Sequence, residues 1–377
     1  MKAFTVLSIF SICIWSCNDE KYIQPNEQTT AQIELFAEVS QPVGNIAYKN
    51  SGELVFSNHP FFDPSIRVMQ YDHTNKQTLP FPNLDWNTPK TNNENFLSTV
   101  LGIRSDHKGI VWMLDMGFRN NITPKFVGWN TISNTLEKVV KIPAPASLPT
   151  SQLNDFTILN DGNTFIIADE DIGPNGDGSK GALVIVNINT GKARRVLQGH
   201  YSTVPEKNRP IVVDGKQLNI PGTNNPISVG ADCITTDKNN EWLYYAPLNG
   251  SKLYRIKIQD LLNELLTAAE LETKVETYSS KENNGSASID EAGNIYLTYL
   301  ETKSIAIIPS DTRKPYRYTS HPDLIWPDGA SYNKDGYMYV PATQLPLGGA
   351  FNNGQNKTVP PFRIFRFKPI TKGIFGK

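Results

Sequence analysis

Asp328 and Gly329 stand just ahead of a strand–turn–strand stretch, WPDGASYNKDGYMYV, where a carboxylate would project into open space rather than into a sheet. Asn154 and Asp155 open a similar stretch, LNDFTILNDGNTFIIAD, and Asp232 opens a third, GADCITTDKNNEWLYY. Oxygen side chains of this kind suit hard cations such as Ca²⁺. Asp155 reads either as a ligand-binding group or as a turn cap, the cap being the plainer role. Arg104 falls on an inner strand and is either a cation inside a channel or the partner of a blade carboxylate. Trp326 and Phe351 lie in segments expected at a channel mouth, where an aromatic face would stack on an aromatic or cationic ligand.

Other chemistries find little support. The five histidines, His59, His73, His107, His200 and His321, form no HxxxH or HxH pair, so a zinc site is not expected. His59 and His321 each precede a proline in a loop, where each reads either as an ordinary surface histidine, the plainer role, or as the base of a proton-transfer reaction near neutral pH. No G-x-S-x-G elbow is present, against a serine hydrolase of the α/β type. Asp169, Glu170 and Asp171, followed by GPNGDGSKG, look acidic, but the spacing lacks the twelfth-position Glu of an EF-hand, and a solvated hairpin loop is expected. Cys233 is alone in the mature domain, so no internal disulfide forms; it reads as a buried thiol.

These residues need elements to position them. The same sentence of strand, Asp/Asn/Gly-rich turn and strand recurs six times, with turn residues at 52, 109, 162, 240, 293 and 336. Such turns favour hairpins. Repeats of about 40–50 residues built from four short strands predict propeller blades. The fold class is therefore all-β: a six-bladed β-propeller over 33–377 with one short inserted helix over 259–271, whose leucines recur at helical spacing. Strands over 33–39 and 363–368 are expected to close the ring in one blade. Loops over 61–97, 200–228 and 344–361 are expected to cover one mouth of the channel.

A net charge of −1, from 36 basic and 37 acidic residues without a basic run, argues against a nucleic-acid partner. Residues 1–17 read as an export signal: Lys2, then an apolar run too short to span a bilayer. Ile14-Trp15-Ser16-Cys17 resembles a bacterial lipobox, which makes Cys17 the lipidated residue of a cell-envelope lipoprotein, periplasmic or surface-exposed, whose only membrane contact is its lipid. The alternative is a plain signal cut near Ser16 and a secreted protein. Residues 18–32 read as a polar tether.

The order VWMLDMG, PKFVGWN, LNDF, GALVIVNINTGKARRVL, GADCITTDKNNEWLYYAPLNGSKLYRI, WPDG and PPFRIFRFK resembles the major royal jelly protein/Yellow family in its bacterial branch, from about residue 40 to 369. The resemblance implies a six-bladed propeller, export, and functions ranging from amine binding to dopachrome-type tautomerisation. Two cysteines of animal members, near Lys108 and Ile122, are absent here. A more distant resemblance is to gluconolactonase-like propellers. It implies Asn154, Asp232 and Asp328 as ligands of Ca²⁺ or another divalent cation, with the blade-one Glu lost near Val43. Three readings follow. One is a propeller binding a small molecule at its channel mouth. Another is an enzyme, either a metal-assisted lactonase-like hydrolase or a tautomerase. The third is a scaffold for envelope proteins.

Overall fold

The computed structural model describes residues 30–377; the stretch read as an export signal, Cys17 and most of the stretch read as a tether lie outside them. Six four-stranded antiparallel sheets follow one another around a central channel. Their innermost strands are Val43–Tyr48, Val100–Ser105, Leu153–Ile158, Ala231–Thr236, Asn284–Ile289 and Ser331–Tyr332, for blades 1 to 6 in order. Consecutive inner strands pack side by side around the axis. The six expected hairpins are the first two strands of the six blades. At their turns Gly52, Gly109, Gly162, Gly293 and Gly336 have positive φ, and Asn240 takes the same left-handed conformation in blade 4. That conformation is open to glycine and tolerated by asparagine.

Ring closure also follows the expectation. Ile33–Val39 pairs antiparallel with Phe362–Phe367, Ile33 opposite Phe367, so the two ends of the domain share blade 6. Closing the ring this way leaves few free sheet edges. The core lies between blades. Trp112, Phe126, Phe156 and Phe165 join blades 2 and 3, with Phe126 and Phe156 ring centroids 4.8 Å apart and Trp112 meeting Phe165 edge-on at 5.0 Å. Such contacts hold sheets that share no backbone hydrogen bonds.

Three expectations are corrected. The single helix is two short ones, Ile258–Leu262 and Ala268–Glu272. Asn263 ends the first, its backbone N–H bonding Asp260 O, and Thr267 begins the second through a capping box with Glu270. Of the leucine stripe, Leu261 is buried while Leu265 is 91% exposed. The stretch 61–97 is not all loop: it contains Val68–Asp72 and Gln77–Pro80, the outer strands of blade 1. The acidic run is not solvated, since Asp169, Glu170 and Asp171 are all buried. The insertion over 200–228 carries its own small hairpin, Val212–Val213 with Lys216–Gln217. It packs with Trp326 and Leu345 in one apolar cluster over the channel mouth.

Candidate functional site at the channel mouth

Each of the first five inner strands begins with an irregularity. The register shifts between Val43 and Ile46, Val100 and Ile103, Leu153 and Phe156, Ala231 and Cys233, and Asn284 and Ala287. A bulge re-aims side chains that regular pleating would send into the sheet. The residues at these kinks are Gly44, Leu101, Asn154, Asp232 and Gly285; Asp328 stands at the matching place in blade 6. Leu101, Asn154, Asp232 and Asp328 all line one cavity of about 770 Å³.

The glycines explain why the ring of six is polar on one side only. A Cβ on Gly44 would come within 2.5 Å of Leu101 Cδ1, so Leu101 occupies the space that a blade-one ligand would need. A Cβ on Gly285 would meet Asp328 Oδ1 at 3.0 Å, so the missing side chain leaves room for the carboxylate.

A further acid reaches the cavity from another direction. Glu170 follows the second strand of blade 3 and is buried on the same cavity. Its Oε1 accepts a hydrogen bond from Asn154 Nδ2 at 3.0 Å, and its Oε2 accepts one from Gln152 Nε2. Asn154 Nδ2 also donates to Asp232 Oδ1 at 2.5 Å, so one amide ties two acids together. Asn154 Oδ1 is buried with no partner. Glu170 was legible only as part of an acidic run; its place at the strand end, where Asp169 turns the chain, was the available signal.

Burial dominates the electrostatics. It pushes Glu170 well above the usual carboxylate range, and the charges of Asp328 and Asp169 add to this against hydrogen bonds from Gln152 and Asn154. Burial likewise raises Asp232 strongly, with Glu170 and Asp328 next in weight. Burial carries Asp328 to about 7, although the Gly329 N–H bonds its carboxylate. Like charges this close and this buried oppose one another's ionisation, which favours the protonated form of the floor acids. Among the described residues no lysine or arginine lines the cavity to offset them. His59 does line it, but burial lowers its pKa to about 3 and keeps it neutral.

The walls are apolar, with Phe61, Ile172, Ile220, Ile227, Trp326 and Phe351 around the acid floor. Trp326 is held at φ +57°, an unusual conformation for a bulky residue, stored where the chain turns to deliver Asp328. Thr343 N donates to Trp326 O and Asp328 N to Pro341 O, which fixes that turn.

The structure thus brings Asn154, Asp232, Asp328, Trp326 and Phe351 to one cavity. Arg104 and Asp155 are not on it. They form a buried ion pair at 2.6 Å, and Arg104 Nη1 also donates to Gly376 O at 3.1 Å, toward the opposite end of the channel. His321 is partly exposed in a surface loop, 3.9 Å from Asp323. Cys233 is fully buried with its Sγ near Ala246 O, and burial raises its pKa.

A sequence model described as major royal jelly protein matches residues 98–356. The chain belongs to the major royal jelly protein family. No curated protein matches it. Solved structures with the same fold include a luciferin-regenerating enzyme, with TM-score 0.56 and 12% identity, covering 92% of this chain and 98% of that one. A gluconolactonase from Xanthomonas campestris gives TM-score 0.55 at 10% identity, over 90% and 89% of the two chains. Regucalcin from Agrobacterium tumefaciens, described as a calcium-binding protein, gives TM-score 0.55 at 12% identity, over 91% and 96%. At such identities the likeness is one of fold. This royal jelly family member therefore shares the propeller fold of these proteins, and its own cavity floor has Leu101 beside Gly44 and Glu170 from blade 3.

A divalent ion at this floor is tested by its donors. Asn154 Oδ1 is unpartnered and the neighbouring groups are carboxylates, a set that fits a hard cation. The amide as placed turns its nitrogen, not its oxygen, to Asp232 and Glu170. Among the described residues no three His, Cys, Asp or Glu side chains are grouped as a ready-made metal site. Asn154, Glu170, Asp232 and Asp328 would hold the ion after the amide rotates.

Proposed function

We propose that this protein binds a small organic molecule at its channel mouth, with a protonated amine of that molecule seated on the acid floor. The observation that carries the reading is the pairing of three buried acids with apolar walls in a cavity no lysine or arginine lines. Cavities of this size suit a drug-sized ligand, and the few polar groups in such a cavity set its orientation. An ammonium group would take up the charge that the acids cannot carry alone, so binding would release protons from the floor.

The test is calorimetric titration with tyramine at pH 8, with p-cresol as the neutral control. Tyramine is expected to bind at least tenfold more tightly, and Asp232→Asn is expected to remove most of the difference. Equal binding of the two would end the reading.

A second reading rests on the unpartnered Asn154 Oδ1. Bound there, a divalent cation would polarise a carbonyl and lower the pKa of its water, as a lactonase-like hydrolase requires. Calcium titration of wild type and Asn154→Ala separates the two: a metal site requires saturable heat in the first and none in the second.

Export rests on the lipobox-like Ile14–Cys17. Cys17→Ser is expected to move the protein from the membrane to the soluble fraction. An unchanged distribution would remove the anchor.

A further inference from the structure

A second concavity of about 320 Å³ opens on the rim of the cavity, between the insertion around 216–224 and the loop around 350–357. Ile220, Pro221, Ala350 and Phe351 wall both spaces, so the two adjoin. Their chemistry is opposite. The inner cavity has acids and no lysine or arginine, whereas the groove has no Asp or Glu and is lined by Asn219, Thr223, Asn224, Asn353, Gln355 and Lys357 among others.

The groove is built on braced loops. Lys216 Nζ donates to Phe351 O at 2.6 Å and to Asn352 Oδ1 at 3.0 Å, which joins the two segments. Asn352 is buried and donates through Nδ2 to Pro346 O and Gly348 O. Lys357 N bonds Leu347 O. The side chains of Asn224, Asn353 and Gln355, in contrast, take part in no hydrogen bond with the described residues, and they face the groove with donors and acceptors free.

We propose that this groove is an outer subsite for a hydroxyl-rich group, such as a glycosyl unit, carried by the molecule whose other end enters the cavity. The inference rests on the ligand-binding reading given above. Each carboxamide offers both a carbonyl acceptor and N–H donors, and a hydroxyl both gives and accepts, so the two match in either direction. A phosphate or sulfate only accepts, and it would need a desolvated cation. Lys216 bridges the loops through two of its three N–H groups, and it and Lys357 are exposed, so neither is a desolvated cation. Phe351, shared by both spaces, supplies an apolar face for the ring joining the two ends of the ligand.

The experiment compares tyramine with its phenolic O-β-glucoside by calorimetry, on the full chain and on Asn224→Ala/Gln355→Ala, two exposed changes whose folding is checked by Tm. The glucoside is expected to bind at least tenfold more tightly than tyramine to wild type. In the double variant that advantage is expected to fall below threefold with tyramine affinity unchanged. Equal affinities in wild type, or an advantage that survives the double substitution, would overturn the subsite while leaving the cavity reading intact. Failure of tyramine and glucoside alike would overturn the cavity reading and this one with it.

Discussion

At the scale of single residues, the buried acids set both stability and binding, with opposite signs. Asp328 is raised to about 7, above its ordinary value near 4 in an unfolded chain. The folded state therefore holds this proton more tightly. The stability it contributes is full below about pH 4 and is lost as pH rises through about 7. Asp328→Asn removes that loss. The variant is expected to be more stable than wild type at pH 8, by on the order of 1–3 kcal/mol, and to show no gain near pH 4, as read from denaturant midpoints at the two pH values. The same change is expected to weaken an amine ligand at least tenfold at pH 8. In wild type, amine binding should tighten as pH rises through 7, because the floor must ionise to receive the cation. The pair Arg104 and Asp155 behaves differently. Burial raises Asp155 against the pull of Arg104, and removing one partner leaves the other charged and unpaired. Asp155→Ala is expected to cost about 3–5 kcal/mol, measured by urea unfolding, and Arg104→Met/Asp155→Leu much less.

At the scale of elements, the kinked starts of the inner strands decide the site. Their tolerance is narrow. A Cβ on Gly102 would come within 2.0 Å of Asn154 O, so Gly102→Ala must move the blade 3 backbone that carries Asn154. The expected loss is about 2–4 kcal/mol, together with weaker ligand binding, because the amide linking Asp232 and Glu170 would shift. Gly191 has positive φ and nothing within 4 Å of its Cβ position; Gly191→Ala, as a control in an outer turn, meets no such neighbour. Unfolding midpoints of the two variants compare a blocked site with one whose only cost is its left-handed φ. The blade repeat itself was readable in the chain, since alternating strands and turn residues are local features. The bulges were not, because a register shift is a relation between two strands.

At the scale of the whole molecule, the segment from Lys372 to Lys377 closes the far end of the channel. Gly376 O receives Arg104 of blade 2, and Lys377 O receives Ser288 Oγ of blade 5 at 2.6 Å and Tyr332 N of blade 6 at 2.9 Å. Lys377 Nζ reaches Thr236 of blade 4. One short strand of chain thus pins four blades from inside. Removing residues 373–377 would leave Arg104, Ser288 and the Tyr332 N–H without these partners. A loss of roughly 2–5 kcal/mol is expected by thermal and urea unfolding, with ligand affinity at the opposite mouth unchanged.

The amino-acid sequence by itself determined the blades, their number, the closing strands and the gathering of Asn154, Asp232 and Asp328 at the head of their repeats. The first three follow from periodicity and turn chemistry, which act over a few residues; the three site residues follow from the resemblance of their repeats to lactonase-like blades. Only the tertiary structure decided that Leu101 fills the space over Gly44, that Glu170 turns inward from an acidic run that reads as solvated, and that Arg104 spends its charge on Asp155 and Gly376. Those outcomes depend on which side chains from distant blades compete for one small volume. Whether an acid there is ionised or protonated depends on how much water the surrounding blades exclude, a property that no stretch of chain has until the ring is closed.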